Sequence, residues 1–284
     1  MSNLNSFLLL ADFAFDKSAT LPTILFEVFA LGGAVVAFLV LMRFVDKLWL
    51  RFLVAGLGVF VFELFTGPMW INERLGPWAY VIHDVSWILT VGWTALILSV
   101  VILVDHFLAD WSEKKRFALY LGILLAAVVF LEILVVNLGI RSYAPEVLAA
   151  TSGIQFVGVP IEILYYVPVF TALVITFYKY WSFVIDGEVL IPVKKRKWLR
   201  AAILAFIAVF LFELMVEPMV VNAKLPEWSY VFHDISFLLT GLWVVLIAAG
   251  AVIVERFLLP LPIPIRFIAA VLIIGAFALP IESW

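Results

Sequence analysis

Five carboxylates stand in or beside long apolar runs: Glu63, Asp84, Glu162, Glu213 and Asp234. An ionised side chain inside a membrane helix costs about 2.5–3.5 kcal/mol on insertion scales, so such acids face inward, pair, or hold a proton. A carboxylic acid desolvated among apolar side chains keeps its proton near neutrality and can hand it to an electron-rich double bond. Aromatic faces then stabilise the cation that forms, and the chain has 26 Phe, 11 Trp and 8 Tyr to supply them. Glu63 or Glu162 is the expected proton donor; Glu213, Asp84 or Asp234 is the expected acceptor. His83, His233, Glu132, Glu282, Asn72, Asn222, Tyr80, Tyr230 and Trp87 are the expected supporting or substrate-binding side chains.

Other chemistries find less support. There are no cysteines, which excludes thiolate metal sites, disulfides and thiol catalysis. No Glu-x-x-His or His-Glu-x-x-His pair occurs on any span, closely spaced Asp pairs for a magnesium diphosphate are absent from the spans, and no lysine sits at mid-depth for a retinal Schiff base. No metal or other cofactor is expected, although His83 and His233 could in principle ligate a haem between them. The expected partners are a lipophilic small molecule and membrane lipids. The run "KKRK" at 194–197 reads as a topogenic loop and not as a nucleic-acid site.

These residues need membrane elements to position them. The chain is 66% hydrophobic and 14% charged, against about 45–50% and 25% in soluble domains. The reading is an all-α polytopic membrane protein with about eight transmembrane helices, near 21–45, 49–70, 78–105, 116–138, 153–181, 198–221, 228–255 and 265–282. All of the 18 lysines and arginines except Lys17, Arg74, Arg141 and Lys224 lie beside the loops after spans 1, 3, 5 and 7. The positive-inside rule therefore places both termini outside the cytoplasm, in a multi-pass protein of the cell membrane.

The stretch "YVIHDVSWILT" (80–90) recurs as "YVFHDISFLLT" (230–240). With a shift of 150, residues 59–93 match 209–243 at 18 of 35 positions, Glu63, Asn72, Tyr80, His83, Asp84 and Thr90 included. The domain reading is an extracytoplasmic N-terminal segment, 1–20, a first four-helix repeat, 21–138, and a second, 153–284. An even number of spans per repeat makes the two parallel, with a pseudo-twofold axis along the membrane normal. Tyr80, His83, Ser86 or Trp87, and Thr90 are expected on one side of span 3, and Glu63 and His83 are the expected partners within the half.

Two stretches resemble the membrane-embedded, flavin-free carotenoid (lycopene) cyclase family. "GVPIEILYYVPVF" (158–170) is similar to that family's Pro-x-Glu-Glu motif through Pro160, Glu162, Tyr165, Tyr166 and Pro168, with Ile163 in place of the second Glu. "FELFTGPMWIN" (62–72) is similar to its acid and Thr-Gly-Trp-Asn-like segment through Glu63, Thr66, Gly67, Trp70 and Asn72, and "LPIESW" echoes the first motif again. The resemblance implies proton-initiated cyclisation or isomerisation of an isoprenoid or carotenoid. Two other functions fit the composition: a proton- or cation-coupled transporter, and a quinone- or pigment-binding membrane subunit.

Overall fold

A computed structural model describes residues 19–72, 75–82, 84–187, 198–217 and 225–282, without the side chains of residues 68, 146 and 280–282. The expected N-terminal segment up to residue 18, the "KKRK" run, His83 and Asn222 lie outside the described residues. Among the described residues, seven helices are long and apolar enough to cross a membrane, and an eighth helix carries a shorter apolar stretch, Ile263–Leu279. The protein is a helical membrane protein.

The chain divides into two compact units, Met1–Ile185 and Asp186–Trp284. The first holds α1 (Leu21–Leu41), α2 (Leu48–Thr66), α3 (Trp87–Phe107), α4 (Glu113–Asn137), the short α5 (Pro145–Ala150) and α6 (Ile163–Asp186). The second holds α7 (Trp198–Val216), α8 (Phe237–Phe257) and α9 (Ile263–Glu282). The fifth span, which opens the second repeat in the sequence, thus belongs to the first unit.

Helix α3 is the centre of the first unit, with α1, α2 and α4 packed on it. Ile97, Leu98 and Val101 of α3 are fully buried, against Ala55 and Val59 of α2 and Val174 of α6. Lipid tails are as apolar as these side chains, so close packing and polar contacts hold the helices together. Gly56 permits one such approach: a Cβ there would stand 3.4 Å from Thr94 Oγ1. Phe29, Phe65 and other large apolar side chains stay exposed on the outside of the unit, as lipid-facing surfaces require.

Between the helices the chain forms short antiparallel ribbons, which satisfy the backbone where no helix can. Strand β1 (Trp70–Asn72) pairs with β4 (Arg141–Tyr143), so Asn72 lies opposite Arg141 and Trp70 opposite Tyr143. Strands β2 (Tyr80–Ile82) and β3 (Val85–Ser86) make a hairpin, as do β5 (Gln155–Phe156) and β6 (Val159–Pro160). Val157 and Gly158 link the latter two, both with positive φ, as a tight primed turn needs. In the second unit β7 (Tyr230–Phe232) and β8 (Ile235–Ser236) repeat the β2–β3 pairing, with Tyr230 opposite Ser236 as Tyr80 is opposite Ser86.

These ribbons correct the sequence reading. The helices of the third, fifth and seventh spans, α3, α6 and α8, begin at Trp87, Ile163 and Phe237, later than expected, because the residues before them fold into 3-10 turns and hairpins. The expected single helical face over residues 80–90 does not exist, since only Trp87 onward is helical. The second His-Asp pair is the two-residue turn of a hairpin: His233 takes a φ of 43°, which the turn demands. Asp84 holds the equivalent turn position in the first unit. His233, Asp234 and Asp84 thus stand in turns ahead of a helix, not inside one.

The end of the first unit away from the ribbons is tied by ions. Asp105 of α3 receives a hydrogen bond from Tyr120 of α4, lies 2.5 Å from Lys179 Nζ of α6, and lies 3.2 Å from an Arg116 guanidinium nitrogen. Lys47 Nζ donates to the Ile185 carbonyl at 2.7 Å.

Candidate functional site

Glu63 lies one turn from the end of α2, and Thr90 lies in the first turn of α3. The packing of α2 on α3 brings them together, and a hydrogen bond links Thr90 Oγ1 with Glu63 Oε2. Thr90 Oγ1 is also 3.1 Å from the Ser86 carbonyl oxygen, four residues back. The second unit repeats this arrangement: Thr240 Oγ1 is hydrogen-bonded to Glu213 Oε2 and stands 3.1 Å from the Ser236 carbonyl. The other oxygen of Glu213 is buried without a hydrogen-bond partner among the described residues.

Around Glu63 the β1–β4 ribbon assembles a polar cluster. Arg141 Nε donates to Asn72 Oδ1 at 2.9 Å, and an Arg141 terminal nitrogen donates to Glu132 Oε2 at 3.1 Å. The guanidinium stands 5.0 Å from the Trp70 ring centre, a cation–π distance. Tyr143 donates its hydroxyl to Glu132 Oε1 at 3.0 Å. Burial first, and then the neighbouring Glu132, push the Tyr143 phenol well above its ordinary range, so it remains a donor. Asn72 Nδ2 donates to the Asp84 carbonyl at 2.6 Å, and Tyr80 donates its hydroxyl to the Asn72 carbonyl at 2.6 Å. Asn72 and Tyr80 therefore pin the β2–β3 hairpin to β1.

Two adjoining spaces meet here. A small cavity of about 40 Å³ is lined by Glu63, Asp84, Glu132, Arg141, Phe62, Tyr166 and Phe170 among others. That is room for a water or two. A larger groove of about 280 Å³ runs between α1, α3 and α4, lined by small and apolar residues such as Ala30, Gly33, Ala34, Gly92 and Ala95. Asn72, Trp93, Val128, Glu132 and Arg141 line both spaces.

Other expected site residues stand elsewhere. Glu162 precedes α6 and lines neither space; its Oε1 accepts the Ser152 backbone N–H at 2.7 Å. Burial opposes its charge, but hydrogen bonds from Ser152 outweigh that, and the carboxyl is held below its ordinary value. That is the state of a loop-capping carboxylate, which is not a proton donor at neutral pH. Trp87 donates its indole N–H to the Trp78 carbonyl at 2.9 Å and anchors the 3-10 turn before the hairpin. Tyr230 accepts the Leu225 N–H at 3.2 Å, as Tyr80 accepts that of Leu75.

His233 pairs with Glu217, Nδ1 to Oε1 at 3.2 Å, and not with Glu213, whose partner is Thr240. The helix glutamate pairs with a threonine in both units; the expected Glu63–His83 pairing lies outside the described residues. Asp234 shares the turn with His233. The side chain of Glu282 lies outside the described residues.

The sequence reading missed Arg141, Tyr143 and Glu27. Arg141 is one of the few cations on the face where positive charge is scarce, nine residues after Glu132; that isolation was the available signal. Glu27, 5% exposed in α1, accepts the Gly76 N–H at 2.5 Å and ties α1 to the ribbon end. It has no counterpart in the 150-residue repeat, so nothing drew attention to it.

Among the described residues no three His, Asp or Glu side chains gather as a metal site. No protein-family model matches the chain, and no curated protein or solved structure matches it at a significant level.

Proposed function

We propose that the protein is an integral membrane enzyme that acts on a lipophilic isoprenoid or carotenoid by proton-initiated cyclisation or isomerisation, with Glu63 as the proton donor. The observation that carries this reading is a count of hydrogens. Thr90 Oγ1 is in hydrogen-bond reach of both Glu63 Oε2 and the Ser86 carbonyl. A threonine hydroxyl has one hydrogen. Either the two acceptors share that hydrogen or the carboxyl supplies a second one, and the second arrangement gives each contact a hydrogen of its own. The arrangement suits a protonated acid in a small cavity that adjoins an apolar groove.

The chemistry follows from what lines the cavity. Glu63 delivers its proton to one carbon of a double bond; the π pair makes the new C–H bond and leaves the neighbouring carbon cationic. Phe62, Trp93, Tyr166 and Phe170 offer aromatic faces to that cation. A second double bond attacks it to close a ring, or rotation about the former double bond isomerises it. Loss of a proton from the adjacent carbon to Asp84 restores a neutral product, and the proton returns to Glu63. No oxidant or reductant enters the balance. The cavity at Glu63 is small, so the reacting end enters from the groove with movement of Trp93.

Expression of the chain in a lycopene-accumulating host tests the reading. The expected result is a new pigment with the wild type and none with Glu63→Gln at the same membrane level. An unchanged pigment profile with wild-type protein confirmed in the membrane overturns it.

One observation favours a second reading. The same carboxyl–threonine arrangement recurs at Glu213 and Thr240, as expected if both units load protons for a coupled carrier. Uptake into proteoliposomes driven by a pH gradient, and lost in Glu63→Gln, would put transport first. The repeat also supports the finer architecture: two four-helix repeats, eight spans, and both termini on the extracytoplasmic side.

A further inference from the structure

Among the described residues, Arg141 is the one cation that lines the cavity and the groove. Its side chain is 12% exposed. It is held on three sides, by Glu132, by Asn72 and by the Trp70 ring. These contacts use Nε and Nη1. Among the described residues, Nη2 has no hydrogen-bond partner. A guanidinium has five donors in a fixed plane, so this fork is set in position with part of its capacity unused.

The groove makes that capacity informative. Along α3 it runs from Leu89 to Ser99, about 15 Å at the rise of an α-helix. With C–C bonds near 1.5 Å this takes an extended chain of about a dozen carbons, the end portion of a longer isoprenoid. A pure hydrocarbon filling it to the Arg141 end would strip water from Nη2 and offer nothing in return, and an unsatisfied buried donor is costly. A ligand ending in an oxygen replaces the water. The charge balance decides which oxygen. Glu132 already neutralises Arg141, Asp84 lines the same cavity as the proton acceptor, and Glu63 there is neutral while it holds its proton. A phosphate or carboxylate would meet this excess of acids, whereas a hydroxyl or carbonyl would not.

Resting on the reading of the groove as an isoprenoid site, we infer that the ligand carries a neutral terminal oxygen, an alcohol or a ketone, and that Arg141 Nη2 seats it. Arg141 is then the residue that selects between an oxygenated isoprenoid and its parent hydrocarbon.

The test uses the purified full-length chain in detergent and follows quenching of its tryptophan fluorescence. Three probes are compared: an acyclic C40 carotene, its terminal-hydroxy derivative, and an isoprenoid monophosphate. The wild type is expected to bind the hydroxylated probe on the order of tenfold more tightly than the carotene, the worth of one hydrogen bond to a charged group. Arg141→Gln removes the guanidinium, and the paired Glu132→Gln/Arg141→Gln variant keeps the test alive if the single variant does not fold. Either should bring the two affinities to parity, the ratio within one variant being the readout.

Equal affinities in the wild type, a preference that survives in the double variant, or tighter binding of the monophosphate overturns the inference. If no polyene binds, the isoprenoid reading falls with it. If the hydroxyl preference is present but no product forms from either polyene, the enzyme reading falls and the Arg141 site stands.

Discussion

Asn72 and Arg141 are 69 residues apart in sequence and face each other across the β1–β4 ribbon, with Arg141 Nε donating to Asn72 Oδ1. Asn72 in turn holds the Asp84 carbonyl, and Arg141 holds Glu132. Through this pair the loops after α2 and α4 and the start of α3 become one rigid cap over the groove.

Removing Arg141 should therefore unfold more than the ribbon. Glu132 is buried, with a side chain 4% exposed, and a buried charge left without its partner costs about 3–5 kcal/mol. Arg141→Leu is expected to lower the thermal unfolding midpoint in detergent sharply, and Glu132→Gln/Arg141→Leu to recover part of the loss. A single variant as stable as the wild type contradicts the structure of this pair.

The hydrogen count at Thr90 and Thr240 has a spectroscopic consequence. Two protonated carboxylic acids should appear in the infrared spectrum as carbonyl bands shifted by deuterium exchange. Glu63→Gln should remove one, and Glu213→Gln the other. Absence of both bands from the wild type at neutral pH would remove the basis for Glu63 as donor.

Glu162 should behave in the opposite sense. Its folded-state carboxyl titrates below the ordinary 4.5, so it contributes stability that is complete above that pH and is lost as the pH falls through the lower, folded value. The stability difference between wild type and Glu162→Gln is expected to shrink on acidification below about pH 4.5. A difference that stays flat through that window, or one that grows, is incompatible with the Ser152 contact.

Gly76→Ala tests the seat of α1. A Cβ there would lie 2.4 Å from Trp78 Nε1 and 3.3 Å from Glu27 Oε1. Overpacking of this kind costs about 1–3 kcal/mol. Glu27→Gln keeps an acceptor for the Gly76 N–H and is expected to cost less. Equal stabilities for Gly76→Ala and wild type would mean that α1 is not fixed at this point.

Apolar runs made the helices legible, because a membrane demands about 20 apolar residues per crossing and little else imitates that. The 150-residue shift made Glu63 and Glu213 legible, though not their partners: Thr90 and Thr240 were in view as repeated polar positions, while the histidines drew the pairing. The reason is local. A His-Asp dipeptide looks like chemistry in a greasy string, and only the strand register around it, Phe232 opposite Ile235, reveals a turn. Arg141 stood out only as an isolated cation, and its role was illegible for a different reason. Its role depends on a ribbon between two loops far apart in sequence, and three-residue strands leave no periodic signature.

The groove's position beside α1 governs how a ligand reaches it. Its flank includes Phe29, which is 65% exposed, so a lipophile can arrive sideways from the bilayer and need never cross water. Occupancy then follows the mole fraction of ligand in the lipid phase, not its total concentration. Adding empty vesicles at constant protein and ligand should empty the site by surface dilution, and any affinity measured for this protein carries the partition coefficient of its ligand within it.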